Sequence, residues 1–512
     1  MTKYDQRVAS RDAVRRPGVL VALSCAATLA FAPALHATIT WSGGTNTIGA
    51  DQLVQDNHIV VTGGNNSAQG AAGPPAGTNG GILQLNAGGT GFEITGASVM
   101  LNADNSSPGK LNLADNLTSH ASSVTSGILN AGAGSLPGTL NLSSGTRTIS
   151  VENGTVPGNG ADLHISARID NGGITKIGAG ILALSGANIY PGGTSLSAGT
   201  LYINSATALG TGDLTIAGAN TAIDNRSGGP LTLTNNNPLN ITGGNLTFIG
   251  TNDLNFGTGF SVIANADRTI NIVNSGANFT IGGIIGDNGQ HRALTKTGAG
   301  TLTLAGDTLY TGGTVVNDGT LQLTGSTNSG VGVSSGATFV NSGSVGGNVS
   351  VTGLMAQTGD GMILGSLVVN NGGAANVNGG TLTVNGAVTN NGTFILRSGA
   401  QITTGSGFVN NGTLDLTTAG ATPANLTNNG TIIDAAVVKT KSAAKASTTV
   451  TLTIDSFTGH SYRLQKSTTT PDGSAFTTNV GSPQQGSTGN VLTFTDPGAN
   501  EIRAFYRIAV DS

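Results

Sequence analysis

The chain has 512 residues, of which 9% are charged and 82 are glycine, and its 21 basic and 25 acidic side chains leave a net charge of −4. A dispersed, slightly acidic balance argues against a surface built for nucleic acid or anionic lipid. The single cysteine, Cys25, leaves no material for disulfide frameworks or thiolate metal sites.

Residues 1–37 read as a secretory signal peptide. Arg7, Arg11, Arg15 and Arg16 form a basic front, an apolar run follows from Gly18 to Phe31, and Leu35-His36-Ala37 offers small residues at a cleavage point. The apolar run is too short to span a membrane as a helix. Pro17-Gly18 after Arg15-Arg16 disfavours a twin-arginine signal, and the run continuing past Cys25 disfavours a lipoprotein cysteine. Beyond residue 37 there are 16 basic and 23 acidic groups and no cysteine. No later segment approaches ~18 uninterrupted apolar residues, so no transmembrane helix is expected after signal removal.

Residues 38–436 are expected to form an all-β parallel solenoid. Thr, Val, Ile and Leu alternate with small polar residues, while good helix formers are scarce, a pattern that favours short strands between tight turns. Thr38 to Asn46, with the only tryptophan at Trp41, is expected to be the first coil or its cap. The decisive signal is repetition. Residues 174–203 and 294–323 align without a gap at an offset of 120 and agree at 15 of 30 positions. Glycines at 178, 180, 192, 193 and 199 recur at 298, 300, 312, 313 and 319, where corners need positive φ or close backbone approach.

Farther along, Asn-Asn-Gly begins at 370, 390, 410 and 428. A spacing near 20 with a short strand after each corner predicts one coil per repeat, and stacked asparagines predict side-chain ladders. Coils of that length divide the segment into roughly 20 turns at about 4.8 Å each. Lys439, Lys441 and Lys445 mark a composition change, and 437–446 is expected to be a linker.

Residues 447–512 are expected to form a small antiparallel β-sandwich. Strand-like runs fall at Val450–Ile454, Tyr462–Gln465, Val491–Thr495 and Phe505–Val510, separated by Pro/Asp/Gly turns. Phe457, Tyr462, Phe476, Phe494, Phe505 and Tyr506 are its expected core or near-core aromatics, with His460 beside them.

The two repeat units resemble the passenger-associated transport repeat, or autotransporter-associated β-strand repeat. The matching residues are Lys176, Gly178-Ala-Gly180, Leu182, Leu184, Gly186, Tyr190, Gly192-Gly-Thr194 and Gly199-Thr-Leu201, with Lys296 through Leu321 as the second set. The resemblance implies a right-handed parallel β-helix shown or released at the cell surface. It departs from the family at the end of the chain: Val510-Asp511-Ser512 and the short last module do not look like a translocator barrel. A capping, sorting or anchoring role is expected of that module instead.

Candidate chemistry is sparse. After the leader, His58, His120, His164, His291 and His460 are far apart in sequence and lack metal-ligand spacing, so surface and turn roles are expected. Gly158-Asn-Gly160-Ala-Asp162-Leu163 resembles part of one calcium nonapeptide, but consecutive copies are missing. Gly178-Ala-Gly180 and Gly298-Ala-Gly300 lack the helix and Lys-Ser/Thr of a phosphate loop. A polysaccharide lyase or hydrolase would need clustered carboxylates or a base beside them. Asp162, Arg168 and Asp170, or Asp287, His291 and Arg292, are the available sets, and both precede a repeat unit, where a boundary turn explains them. No catalytic, cofactor-binding or metal-ligating residues are therefore expected, and no enzyme. An exported structural or adhesive surface protein, touching glycans or other envelope components through many weak contacts, is the leading expectation. A polysaccharide-degrading β-helix is the alternative.

Overall fold

The computed structural model describes residues 38–48, 53–56, 58–68, 81–85, 87–88, 91–103, 107–131, 134–419, 422–434, 440–446, 449–456, 461–468, 478–486, 491–497 and 505–511. The expected leader, His460, Phe457 and Phe476 lie outside them. The chain divides into two compact units, Met1–Asn235 and Asn236–Ser512. Among the described residues strands and turns dominate, with one 3₁₀ turn at Pro157–Asn159. The fold is an all-β parallel solenoid of about 17 coils, followed by antiparallel sheets.

In the first unit the coils up to Asp170 lay strands on three faces, and the coils of the first repeat unit lay strands on two. Ile39–Ile48, with Trp41 opposite Val61, opens the stack as the first described coil. The alternation of the sequence turns one side chain in two inward. Leu83, Leu111, Leu140 and Ile169 stack in register on one inner face, all fully buried. Each such side chain contributes about 2 kcal/mol of hydrophobic stabilisation. The early coils are long: going once around the stack carries the chain from Ile59 to Phe92, and again from Leu117 to Ile149. These excursions reduce the number of coils below the roughly 20 that a uniform period predicts. At the first repeat unit the coil tightens, as Ile174 pairs with Thr194 and Thr194 with Leu214.

The second unit repeats the three-faced plan with shorter coils. Leu321, Phe339, Met355, Ala375, Phe394 and Leu414 form one continuous buried column. Phe394 also meets Phe408 edge-on at 5.1 Å, closing the interior between two faces. Along another face Leu367, Val388, Phe408 and Leu426 stack in register, and the steps between them shorten toward the end. That register corrects the expected asparagine period. Asn390 lies opposite Val369, so the triplet at 370 is one residue out of register with the other three.

After the solenoid, six strands make two three-stranded antiparallel sheets. Thr440–Ala446, Thr449–Asp455 and Val491–Asp496 form one, and Thr478–Gln485, Ser461–Ser467 and Phe505–Asp511 the other. Leu452, Ile454, Tyr462, Leu464 and Phe494 are their buried core, with Tyr506 and Ile508 packed against it. The expected linker is corrected here: its residues 440–446 are an edge strand, antiparallel to 449–455. Lys445 suits that place, because an exposed charged side chain on an edge resists pairing with another chain. Thr478–Gln485 was not expected as a strand. Its Gly481, Pro483 and two glutamines lack the apolar alternation, and it too is an edge.

Candidate binding surface

Each repeat unit folds back upon itself as a two-rung clamp. Residues Ile174–Lys176 pair with Thr194–Leu196, and Ile181–Leu184 with Thr200–Ile203. The same self-pairing joins Leu294–Lys296 to Thr314–Val316, and Thr301–Leu304 to Thr320–Leu323. The shared lysine points inward. Lys176 Nζ donates to the carbonyls of Ile177 (2.8 Å), Gly178 (2.7 Å) and, one rung on, Ala198 (3.1 Å). Lys296 Nζ donates likewise to Thr297 (2.9 Å), Gly298 (2.7 Å) and Asp318 (3.2 Å). Both side chains are fully buried, and desolvation pulls each ammonium down to about 8, with Asp162 and Asp318 respectively opposing the shift.

The shared tyrosine completes the clamp. Tyr190 and Tyr310 are fully buried, and their hydroxyls meet Thr194 Oγ1 at 2.6 Å and Thr314 Oγ1 at 2.7 Å. The glycines do what the corner demands. Gly319 has φ +62°, and a Cβ there would stand 2.3 Å from the Gly298 oxygen and 2.6 Å from that of Gly300. Gly199 is its counterpart, at φ +72° against Gly178 and Gly180. The shared residues of the repeat are therefore internal staples.

The sequence-derived candidate clusters do not assemble. Asp162 accepts the amides of Gly154 (2.9 Å) and Ile181 (2.7 Å), tying two corners together in the segment with calcium-loop likeness. Arg168 and Asp170 lie on a different face, 3.8 Å apart, and burial raises the Asp170 carboxyl. Asp287 takes the amides of Gly289 (2.9 Å) and Arg292 (3.0 Å). Partial burial works to raise its carboxyl, but the amide donors outweigh this and hold it below its usual value. His291 Nδ1 lies 2.6 Å from Thr311 Oγ1, and His164 Nε2 lies 2.9 Å from Ser185 Oγ, with burial lowering the His164 imidazole. Each group fastens a turn or a rung.

Two features escaped sequence reasoning. Arg268 is a third internal cation, nearly buried, donating to the carbonyls of Ile241, Thr242 and Ala264. On the outside, His58, Glu93, His120 and Glu152 form a column across successive coils. His58 and His120 approach the two Glu93 oxygens at 3.1 and 3.2 Å, and His120 reaches Glu152 at 3.3 Å. The Ala121 amide and His120 hold the Glu152 carboxyl low. The only clue lay in sequence spacings of 35, 27 and 32, which match the long early coils. Among the described residues no His, Cys, Asp and Glu group has an arrangement that could hold a metal ion.

Elsewhere on the outside, hydroxyls and amides stand in register between scattered apolar side chains such as Ile189 and Phe260. In the first unit Thr148, Thr175, Ser195 and Thr215 stand in register beside a shallow hollow of about 310 Å³ bounded by Pro191, Gly192 and Asp213. In the second, Ser342, Asp360, Met362, Thr381 and Thr383 line a hollow of about 390 Å³. Asn391, Asn411 and Asn429 form an exposed ladder at 2.9 and 3.0 Å. Beside it runs a second ladder, Asn390–Asn410–Asn428, at 2.7 Å per rung, buried at Asn390 and Asn410 and exposed at Asn428.

Comparison with known proteins fits this reading of the clamps. The family described as passenger-associated-transport-repeat matches at residues 174–203 and 294–323. The chain therefore carries two passenger-associated-transport repeats. A stretch of 90 residues, 18% of the chain, is 38% identical to the protein titled adhesin BmaC autotransporter, from Brucella suis biovar 1 (strain 1330). That stretch is 2% of the adhesin's own length. No solved structure matches significantly. In these two repeats the shared lysine and tyrosine face inward, and the exposed Asn391–Asn411–Asn429 ladder is among the groups left to solvent.

Proposed function

We propose that this protein is exported and displayed as a structural and adhesive β-solenoid, touching surface glycans or envelope polymers through many weak, repeated contacts. The orientation of the repeats carries the reading. Lys176, Lys296, Tyr190 and Tyr310 are consumed inside the stack, so recognition falls to the outer hydroxyl and amide columns. Such groups offer one or two hydrogen bonds each, and affinity accrues when a polymer spans several rungs. The likeness of a short stretch to an adhesin supports the same direction.

Protease accessibility and fractionation on intact cells, combined with binding of the purified protein to immobilised glycans of increasing length, test the proposal. Surface exposure and retention that rises with glycan length support it. A protein confined to the periplasm, or one retaining no glycan or envelope polymer, contradicts it.

A further inference from the structure

The C-terminal module contains a buried lysine–aspartate contact that bridges its two sheets. Lys466, on Ser461–Ser467, places Nζ 2.9 Å from Oδ2 of Asp496, on Val491–Asp496. The two residues are 7% and 6% exposed. Tyr506 donates its hydroxyl to the same oxygen at 2.8 Å, and its ring lies 5.8 Å from Nζ. A buried ion pair is weak as a stabiliser, because removing both charges from water consumes most of the attraction. The module nevertheless needs a fastening. Its described core has five buried apolar side chains, and domains below about 70–80 residues usually rely on disulfides, metals or similar staples. No cysteine follows Cys25, so a disulfide is unavailable.

We propose that Lys466 and Asp496 condense to an intramolecular isopeptide bond, with Tyr506 as the positioning and polarising group. Exclusion of water favours the neutral amine and acid over the charged pair. One proton passes from Nζ to Oδ1, and the freed lone pair attacks Cγ. The C=O electrons move onto Oδ2, where the Tyr506 hydroxyl donates, as a preorganised donor does at an oxyanion. The carbonyl re-forms, Oδ1 departs, and a second proton from nitrogen accompanies it as water. One N–H remains on the amide. The reaction loses one water and needs no oxidant or metal. The product joins the two sheets across a long loop of chain, constraining the unfolded ensemble as a disulfide would.

Tryptic mapping of the full chain after denaturation decides the matter. Trypsin does not cut after an acylated lysine, and the sequence from Leu464 to Arg503 has no other internal basic residue besides Lys466. The wild-type chain should give the 464–503 peptide, uncut at Lys466 and lighter than its sequence by one water. Asp496→Ala should restore cleavage after Lys466. Tyr506→Phe should lower the cross-linked fraction at least several-fold in freshly made protein, while leaving the amine and the acid in place. Cleavage after Lys466 in the wild type, or an uncut peptide of full sequence mass, overturns the proposal whether or not the variants fold.

Discussion

The coils of the two repeat clamps and the asparagine coils near 390–430 solve the same problem with different chemistry. Both must satisfy backbone carbonyls where a strand turns its corner. The clamps use a buried ammonium, one per unit, that reaches three carbonyls and spans two rungs. The asparagine coils use neutral amides: Asn390 and Asn410 each donate both to the next amide and to a carbonyl, of Thr413 and Thr431. A lysine staple is local and can occur singly. An amide ladder gains by repetition, since each rung both accepts and donates, and it fails wherever the register slips. Asn370 shows the failure, bonding Ser350 and Thr352 instead of Asn390.

Substitutions can break this comparison in graded steps. Neighbouring rungs carry most of a solenoid's coupling, so hydrogen exchange at the affected rung is the appropriate reading. The largest effect is expected for Gly319→Ala, which puts a Cβ against two carbonyl oxygens at positive φ; a loss of about 3 kcal/mol or more at that corner is predicted. Asn410→Leu should cost about 2–3 kcal/mol, because it orphans partners on both sides of the inner ladder. Asn411→Ala, one position away on the exposed ladder, should cost about 0.5 kcal/mol or less, and equal losses would refute the inner–outer distinction.

Lys296→Met should cost about 2 kcal/mol near neutral pH, the lost carbonyl bonds being partly offset by relief of a buried charge. Its pH dependence sharpens the contrast with asparagine. Burial lowers the folded lysine to about 8 from an ordinary 10.5, so between those values the unfolded chain binds more protons. The lysine's contribution therefore rises as pH increases through that window and is least below pH 8. Wild type should gain stability relative to Lys296→Met as pH rises from about 8 toward 10, whereas the Asn410→Leu difference should stay flat. A smaller effect than that of the lysine, about 1 kcal/mol, is expected for Tyr310→Phe, which removes one hydroxyl contact to Thr314.

The parallel stack, the self-similar units and the corner glycines were legible in the sequence because each obeys a short period. The asparagine ladder was legible for the same reason, apart from the slipped triplet at 370, whose coil is one residue longer than the next. The irregular early coils were not legible. With them went the His58–Glu93–His120–Glu152 column, whose members meet only once the lengths of those coils are known. Edge strands also escaped, since Thr440–Ala446 and Thr478–Gln485 bury little and show no alternation. Lys176 and Lys296 were visible as shared residues, but nothing in the sequence said that a lysine would point inward.

That inward lysine is the central claim, and amine labelling tests it most directly. The folded protein, treated briefly with an amine-reactive reagent and mapped by mass spectrometry, should be modified at exposed Lys445 and spared at Lys176 and Lys296. Unfolding in denaturant should make all three react alike. Labelling of Lys176 and Lys296 at the rate of Lys445 in the folded protein would contradict the account, because the shared lysines would then belong to the outer surface rather than to the staple.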